Sequence, residues 1–135
     1  MNKATKKSGF SLVEMIVVIV IIGIIAAIAV PKLLDTKDEA TASSIKQDIA
    51  TAVSAIRSYY LMNGSIAKIS DAVNLNTKNW SGSDGLTAIY KDTDNCVTIA
   101  VATPTLTVTL ATTNDNSVCA KLEASGVTTQ TYSLK

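Results

Sequence analysis

The sequence predicts an α+β fold: a long N-terminal α-helix, membrane-embedded over its first half, packs its second half against a small antiparallel C-terminal β-sheet. Three features of the 135 residues predict it. From Leu12 to Val30 thirteen residues are Leu, Ile or Val, and no charge falls between Glu14 and Lys32. Beyond Pro31 the apolar residues narrow to one helical stripe. The last third alternates Thr with Val, Ile and Leu in two short runs.

The apolar run sets the terms for the rest. A helix rises ~1.5 Å per residue, so about 20 residues cross a hydrocarbon layer of ~30 Å. Ile and Val are moderate helix formers in water, but in lipid a backbone satisfies its polar groups only internally. Thirteen such residues favour insertion by roughly 4–8 kcal/mol, against about 2.5–3.5 kcal/mol lost to one acid at a helix centre and less near an end. The run therefore reads as a membrane helix despite Glu14. A secretory signal peptide cleaved at Ala27-Ile28-Ala29, or a plain signal anchor, is the competing account. An acid inside the apolar region and Val30-Pro31 after the site speak against the signal peptide.

Glu14 calls for a cation, and no basic residue follows it within helical reach; Lys7 lies before it, beyond Ser8-Gly9. Cutting the chain between Gly9 and Phe10 makes one, a free ammonium on Phe10. That amine lies about one helical turn from Glu14 of its own chain and within reach of a neighbour's in a staggered array. The run Gly9-Phe10-Ser11-Leu12-Val13-Glu14, behind a lysine-bearing leader, resembles the processing site of type IV prepilins and of type II secretion pseudopilins. The resemblance is specific from Lys6 to about Ala40 and fades beyond it, and Ser11 stands where Thr is commoner. It implies removal of residues 1–9 by a prepilin peptidase/methyltransferase, N-methylation of Phe10, and guidance of assembly by Glu14. Pro31 also matches the family's helix proline.

Residues 10–31 then form the transmembrane and assembly helix. Pro31 biases Val30 away from helical geometry, and Gly23 is a second weak point, so kinks are expected at both. Residues 32–62 read as the amphipathic second half of the same helix. Ile45, Ile49, Ala52, Val53, Ile56 and Tyr60 fall on one stripe, opposite Lys46, Gln47, Asp48, Ser54 and Arg57. The stripe lacks sustained heptads, which argues against a coiled coil. Asn63-Gly64 ends the helix. Asp35-Thr36-Lys37-Asp38-Glu39 reads as a solvated face; pairing with Lys32, Lys46 or Arg57 of neighbouring subunits is the functional alternative.

Residues 63–135 form the predicted head. Residues 63–94 read as a loop-rich connector: Ser70-Asp71 caps a short helix over Ala72–Leu75, Ser81–Gly85 is a turn cluster, and Leu86–Tyr90 is a first strand. Trp80, the one tryptophan, reads as a core plug. Cys96–Ala102 and Thr105–Thr112 are strands parted by Thr103-Pro104, with Val97, Ile99, Val101, Leu106, Val108 and Leu110 turned toward the helix. Asn114-Asp115-Asn116 is a polar turn, and Val127–Leu134 a final strand. Asn63-Gly64-Ser65 and Asn79-Trp80-Ser81 fit the short glycosylation pattern, too short to carry weight.

Composition bounds the function. There is no histidine, which excludes His-based triads and His metal ligands. Cys96 and Cys119 are an even pair in a head expected to face an oxidising compartment, and a disulfide between them would stabilise the fold by roughly 3.4 kcal/mol in the chain-entropy model. Two reduced structural thiols are the alternative. The acidic spots Asp92-Thr93-Asp94-Asn95 and Asn114-Asp115-Asn116 lack the spacing of a calcium loop, so no metal and no cofactor is expected. Removal of Lys3, Lys6 and Lys7 with the leader leaves nine basic against 11 acidic residues, a formal −2. No basic excess marks a nucleic-acid surface.

The expectation is a non-enzymatic subunit of a type IV pilus-like filament. Its partners are copies of itself, the prepilin peptidase/methyltransferase, an inner-membrane assembly platform and, before assembly, the lipid bilayer. The basic leader orients the head outward, so the chain waits in the inner membrane with a periplasmic head and ends in an extracellular pilus. A type II secretion pseudopilin in a periplasmic pseudopilus is the alternative, and a membrane-anchored binding domain that never polymerises is a third reading.

Overall fold

Helix α1 runs from Leu12 to Asn63 in a computed structural model that describes residues 8–92, 95–111 and 117–135. Most of the leader, Thr93 and Asp94 of the first acidic spot, the Asn114-Asp115-Asn116 turn and Thr112 lie outside the described residues. The chain divides into two compact units, Met1–Thr36 and Lys37–Lys135. In the first, every described side chain is exposed, as suits a helix whose apolar surface is meant for a solvent other than water. The helix is long and apolar enough to cross a membrane.

In the second unit α1 turns one stripe inward. Ala42, Ile45, Ile49, Ala52, Val53 and Ile56 are buried, and Tyr60 packs against them half-buried. The spacing of three and four residues produces this stripe, and Ala42 extends it one turn beyond the predicted start. At the helix end Gly64 takes φ +73° and its N–H donates to the Tyr60 carbonyl at 2.7 Å. A glycine is favoured there because a Cβ destabilises the left-handed region.

The sheet is a five-stranded antiparallel meander in sequential order: β1 (Trp80–Ser81), β2 (Thr87–Tyr90), β3 (Val97–Ala102), β4 (Thr105–Leu110) and β5 (Gln130–Ser133). Its inward face is the predicted one. Val97, Ile99, Val101, Leu106, Val108 and Leu110 are all buried, whereas Thr98, Thr105 and Thr107 are half-buried and Thr109 exposed. This is the alternation of a sheet covered on one face.

The short elements differ most from the sequence expectation, and the final strand is shorter than expected, Gln130–Ser133 rather than Val127–Leu134. The short helix α2 covers Ile69–Ala72, not Ala72–Leu75, and its N-cap is Lys68 without a side-chain bond. The start is fixed instead by the backbone: the N–H groups of Ile69 and Ser70 donate to the carbonyls of Gly85 and Ser83 at 2.8 and 2.9 Å, and Ile69 is fully buried. Ser70 and Asp71 therefore sit inside the helix they were expected to cap. Strand β1 was hidden in the connector, its two residues too short a run to alternate visibly.

Helix α3 (Ser117–Ala124) was also unforeseen. It ends in a Schellman motif, with Gly126 at φ +88°, its N–H on the Glu123 carbonyl at 3.0 Å, and the Val127 N–H on the Leu122 carbonyl at 3.0 Å. Leu122 and Val127 are both buried beside this motif. Bonds to α1 hold α3 and the residue just past it. Lys121 pairs with Glu39 at 3.2 Å, and Lys46 donates to the Ser125 carbonyl at 2.7 Å. Glu39 and Lys46, offered as inter-subunit partners, thus already have partners in their own chain.

The β1–β2 turn carries a specific steric demand. Gly82 has φ +80°, and a Cβ there would come 2.5 Å from the Thr87 carbonyl oxygen. Gly82→Ala should therefore cost about 1–3 kcal/mol through backbone strain and displacement of β2. A matched fall in the urea midpoint of the detergent-solubilised chain, without loss of α1 helicity, checks it.

Candidate functional site

Of the residues singled out by the sequence, Gly9, Phe10 and Glu14 lie at the start of α1. Ser8 to Ser11 precede the helix, and Phe10 is 83% exposed. Among the described residues a Cβ built on Gly9 meets nothing within 4 Å, and its φ lies outside the left-handed region. The fold of the chain alone therefore gives no reason for a glycine there.

Glu14 sits in the first turn of α1 in a reciprocal arrangement with Ser11. The Glu14 N–H donates to Ser11 Oγ at 3.1 Å, and the Ser11 N–H donates to Glu14 Oε2 at 2.9 Å. This is a capping box: the hydroxyl satisfies one orphan N–H of the helix start and the carboxylate another. A carboxylate is also favoured there by the positive end of the helix dipole. The sequence reading gave Glu14 a cation made on Phe10 by cleavage and gave Ser11 no part in holding it. The signal was present, because Ser-x-x-Glu before an apolar run is the capping-box signature.

Gly23 and Pro31 both lie inside the unbroken helix. Added substituents at Gly23 would meet nothing within 4 Å. Pro31 lacks the N–H that would bond the carbonyl four residues back, which leaves that acceptor without its helical donor. One turn later Thr36 Oγ1 donates to the Lys32 carbonyl at 2.9 Å, and Thr41 Oγ1 repeats the pattern on Lys37.

In the head, Cys96 and Cys119 are joined by a disulfide across a separation of 23 residues, and both are buried. Asp92 lies beside them, its Oδ1 accepting the Cys96 N–H at 2.8 Å. Asp92, Cys96 and Cys119 cluster closely enough to suggest a metal site. The two sulfurs are bonded to each other, however, so the thiolates that such a site needs are not on offer. Replacing both cysteines by Ala should lower stability by about 3.4 kcal/mol or more, the loop-entropy value for this separation. The same loss should appear in the wild-type chain on reduction, measured by urea unfolding with and without dithiothreitol.

A helix bearing an uncovered apolar half, a capped acid at its start and a disulfide-closed antiparallel head define a membrane-anchored chain of pilin-like architecture. Comparison with known proteins agrees. Residues 4–30 match the prokaryotic N-terminal methylation motif. The chain is 35% identical over 95 residues to the type IV narrow pilus major component PilA5 of Thermus thermophilus, covering 70% of this chain and 78% of that protein. It is 41% identical over 58 residues to the type II secretion system core protein G of Pseudomonas aeruginosa, and 46% over 55 residues to that of Klebsiella michiganensis. These two alignments cover 43% and 41% of this chain, and only 41% and 39% of the relatives. No solved structure matches. The chain belongs to the family of type IV pilins and type II secretion pseudopilins.

Proposed function

We propose that the chain is a structural, non-enzymatic subunit of a type IV pilus-like filament, cleaved between Gly9 and Phe10, methylated on Phe10 and polymerised through α1. The observation that carries this reading is the start of α1. An exposed apolar surface from Phe10 to Leu34 carries a single acid, held at the helix start beside the proposed scissile bond. Such a surface is stable in a bilayer or among like helices and nowhere else.

The mechanism is a change of solvent. The helix first keeps the subunit in the inner membrane, with the head in the periplasm. A prepilin peptidase/methyltransferase then removes residues 1–9, and the new amine complements Glu14 of its own or a neighbouring subunit. An assembly platform finally moves the helix from lipid into a core of copies. Lipid is about as apolar as those copies, so burial alone gives little bias. Packing, the charge pair and external work supply the direction. Gly23 and Pro31 are the places where α1 can bend as it is packed.

A second reading, a pseudopilin in a short periplasmic fibre, is supported by the protein G relatives. The pilus is preferred because the PilA5 alignment spans 95 residues. That exceeds everything up to the end of α1 at Asn63, so the alignment reaches into the head. Shearing cells and analysing the released material by mass spectrometry tests both. A pilus gives long surface filaments whose subunit begins at methylated Phe10. A fibre retained in the envelope favours the pseudopilin, and an uncleaved monomer sinks both.

A further inference from the structure

We propose that Ser11 is a positioning residue for filament assembly, acting on Glu14 through the capping box. The inference rests on the reading of Glu14 as the assembly acid and adds a residue to it. Neither bond of the box uses an atom on the N-terminal side of the Phe10–Ser11 peptide. Cleavage after Gly9 therefore leaves both bonds intact while placing an ammonium on the residue next to Ser11. The box exists before the cut, so the carboxylate is already folded back over the helix start when the cation appears.

The division of labour between the two carboxylate oxygens follows. Oε2 is held by the Ser11 N–H at 2.9 Å, which leaves Oε1 for a cation. The Ser11 hydroxyl does not touch that cation. It accepts the Glu14 N–H at 3.1 Å and so fixes the first turn from which the side chain springs. A Glu side chain with three rotatable bonds would otherwise have to be ordered at the moment of assembly, at an entropic cost.

The test separates the oxygen from the shape. Thr supplies the same acceptor, whereas Val has the shape of Thr without it. Filament yield per cleaved, methylated subunit should fall about tenfold in Ser11→Val, the equilibrium factor carried by loss of one helix cap, and stay near wild type in Ser11→Thr. In the full, uncleaved chain in detergent micelles, amide exchange at Glu14 should quicken by a similar, roughly tenfold factor in Ser11→Val alone. Normal yield from Ser11→Val, an equal fall in Ser11→Thr, or unchanged Glu14 exchange each overturns the proposal. The exchange measurement decides the matter even where Ser11→Val is poorly cleaved. Glu14→Gln, run alongside, keeps the box and removes the charge. Filaments from it sink the assembly reading itself, whereas their absence beside normal Ser11→Val filaments sinks only the role of Ser11.

Discussion

Glu14→Val should abolish filaments while leaving a normally inserted and normally cleaved subunit in the membrane. Insertion is spared because the substitution removes the one charge from an otherwise apolar run, and any acid in a membrane helix opposes insertion. Cleavage is spared because the proposed scissile bond, Gly9–Phe10, lies in the segment before the helix and keeps both its residues. Polymerisation is lost because the variant has nothing to distinguish a neighbouring helix from lipid at the start of α1. Each step has its own readout: carbonate extraction for insertion, mass spectrometry for a methylated Phe10 terminus, and sheared-fibre yield for assembly. Wild-type fibre yield from a fully cleaved Glu14→Val chain means that packing alone drives assembly and that the ammonium–carboxylate pair is dispensable.

The parts of this fold that were legible in the sequence are those written as long periodic patterns. Ile45, Ile49, Val53 and Ile56 repeat a helical spacing over several turns, and Val97, Ile99 and Val101 a strand spacing. In each case one physical demand, burial of a single face, is stated several times over. The elements that stayed hidden are short or held by distant backbone. The start of α2 depends on the carbonyls of Ser83 and Gly85, which no local pattern announces. Among the described side chains, helix α3 turns Val118, Cys119 and Leu122 inward, too few to establish a period. Strand β1 is a strand because Trp80 and Ser81 pair with Tyr90 and Ile89.

The candidate site shows the same division differently. Glu14 was visible because a charge in an apolar run is conspicuous, and Gly9 and Phe10 because they complete a known motif. The role of Ser11 is inconspicuous because a serine at a helix start is common. It lies three residues before Glu14. In the acidic cluster, Glu39 was read as solvated or paired to Lys32, Lys46 or Arg57 of a neighbour, whereas its pairing with Lys121 spans 82 positions that only folding brings together.

Trp80→Ala should destabilise the head by about 3–5 kcal/mol, the range for truncating a large buried aromatic side chain. The residue is 1% exposed, and its backbone, ring and indole N–H are all engaged. Its backbone pairs with Tyr90 in the β1–β2 ladder, and its ring meets that of Tyr90 edge-on at 5.4 Å. Its indole N–H donates to Asp48 Oδ2 at 2.9 Å, joining β1 to α1. Strand β1 has only two residues, so little besides this ring holds it to the core. Trp80→Phe should be milder, losing the charge-assisted bond to Asp48, about 1.5–3 kcal/mol, and part of the ring volume. The pocket also has a pH signature. Burial, and then the carboxylates of Asp92 and Asp48, hold the Tyr90 phenol above its ordinary value of 10.0. The folded state thus favours the protonated phenol. Its contribution is complete below pH 10 and is lost as pH rises through the raised folded value. Opening the pocket with Trp80→Ala rehydrates Tyr90 and should bring that alkaline loss to lower pH while making it smaller. Urea midpoints by circular dichroism, taken from neutral to strongly alkaline pH, measure both effects. A Trp80→Ala midpoint within experimental error of wild type would remove the ring from its place as the clasp between α1 and the sheet edge.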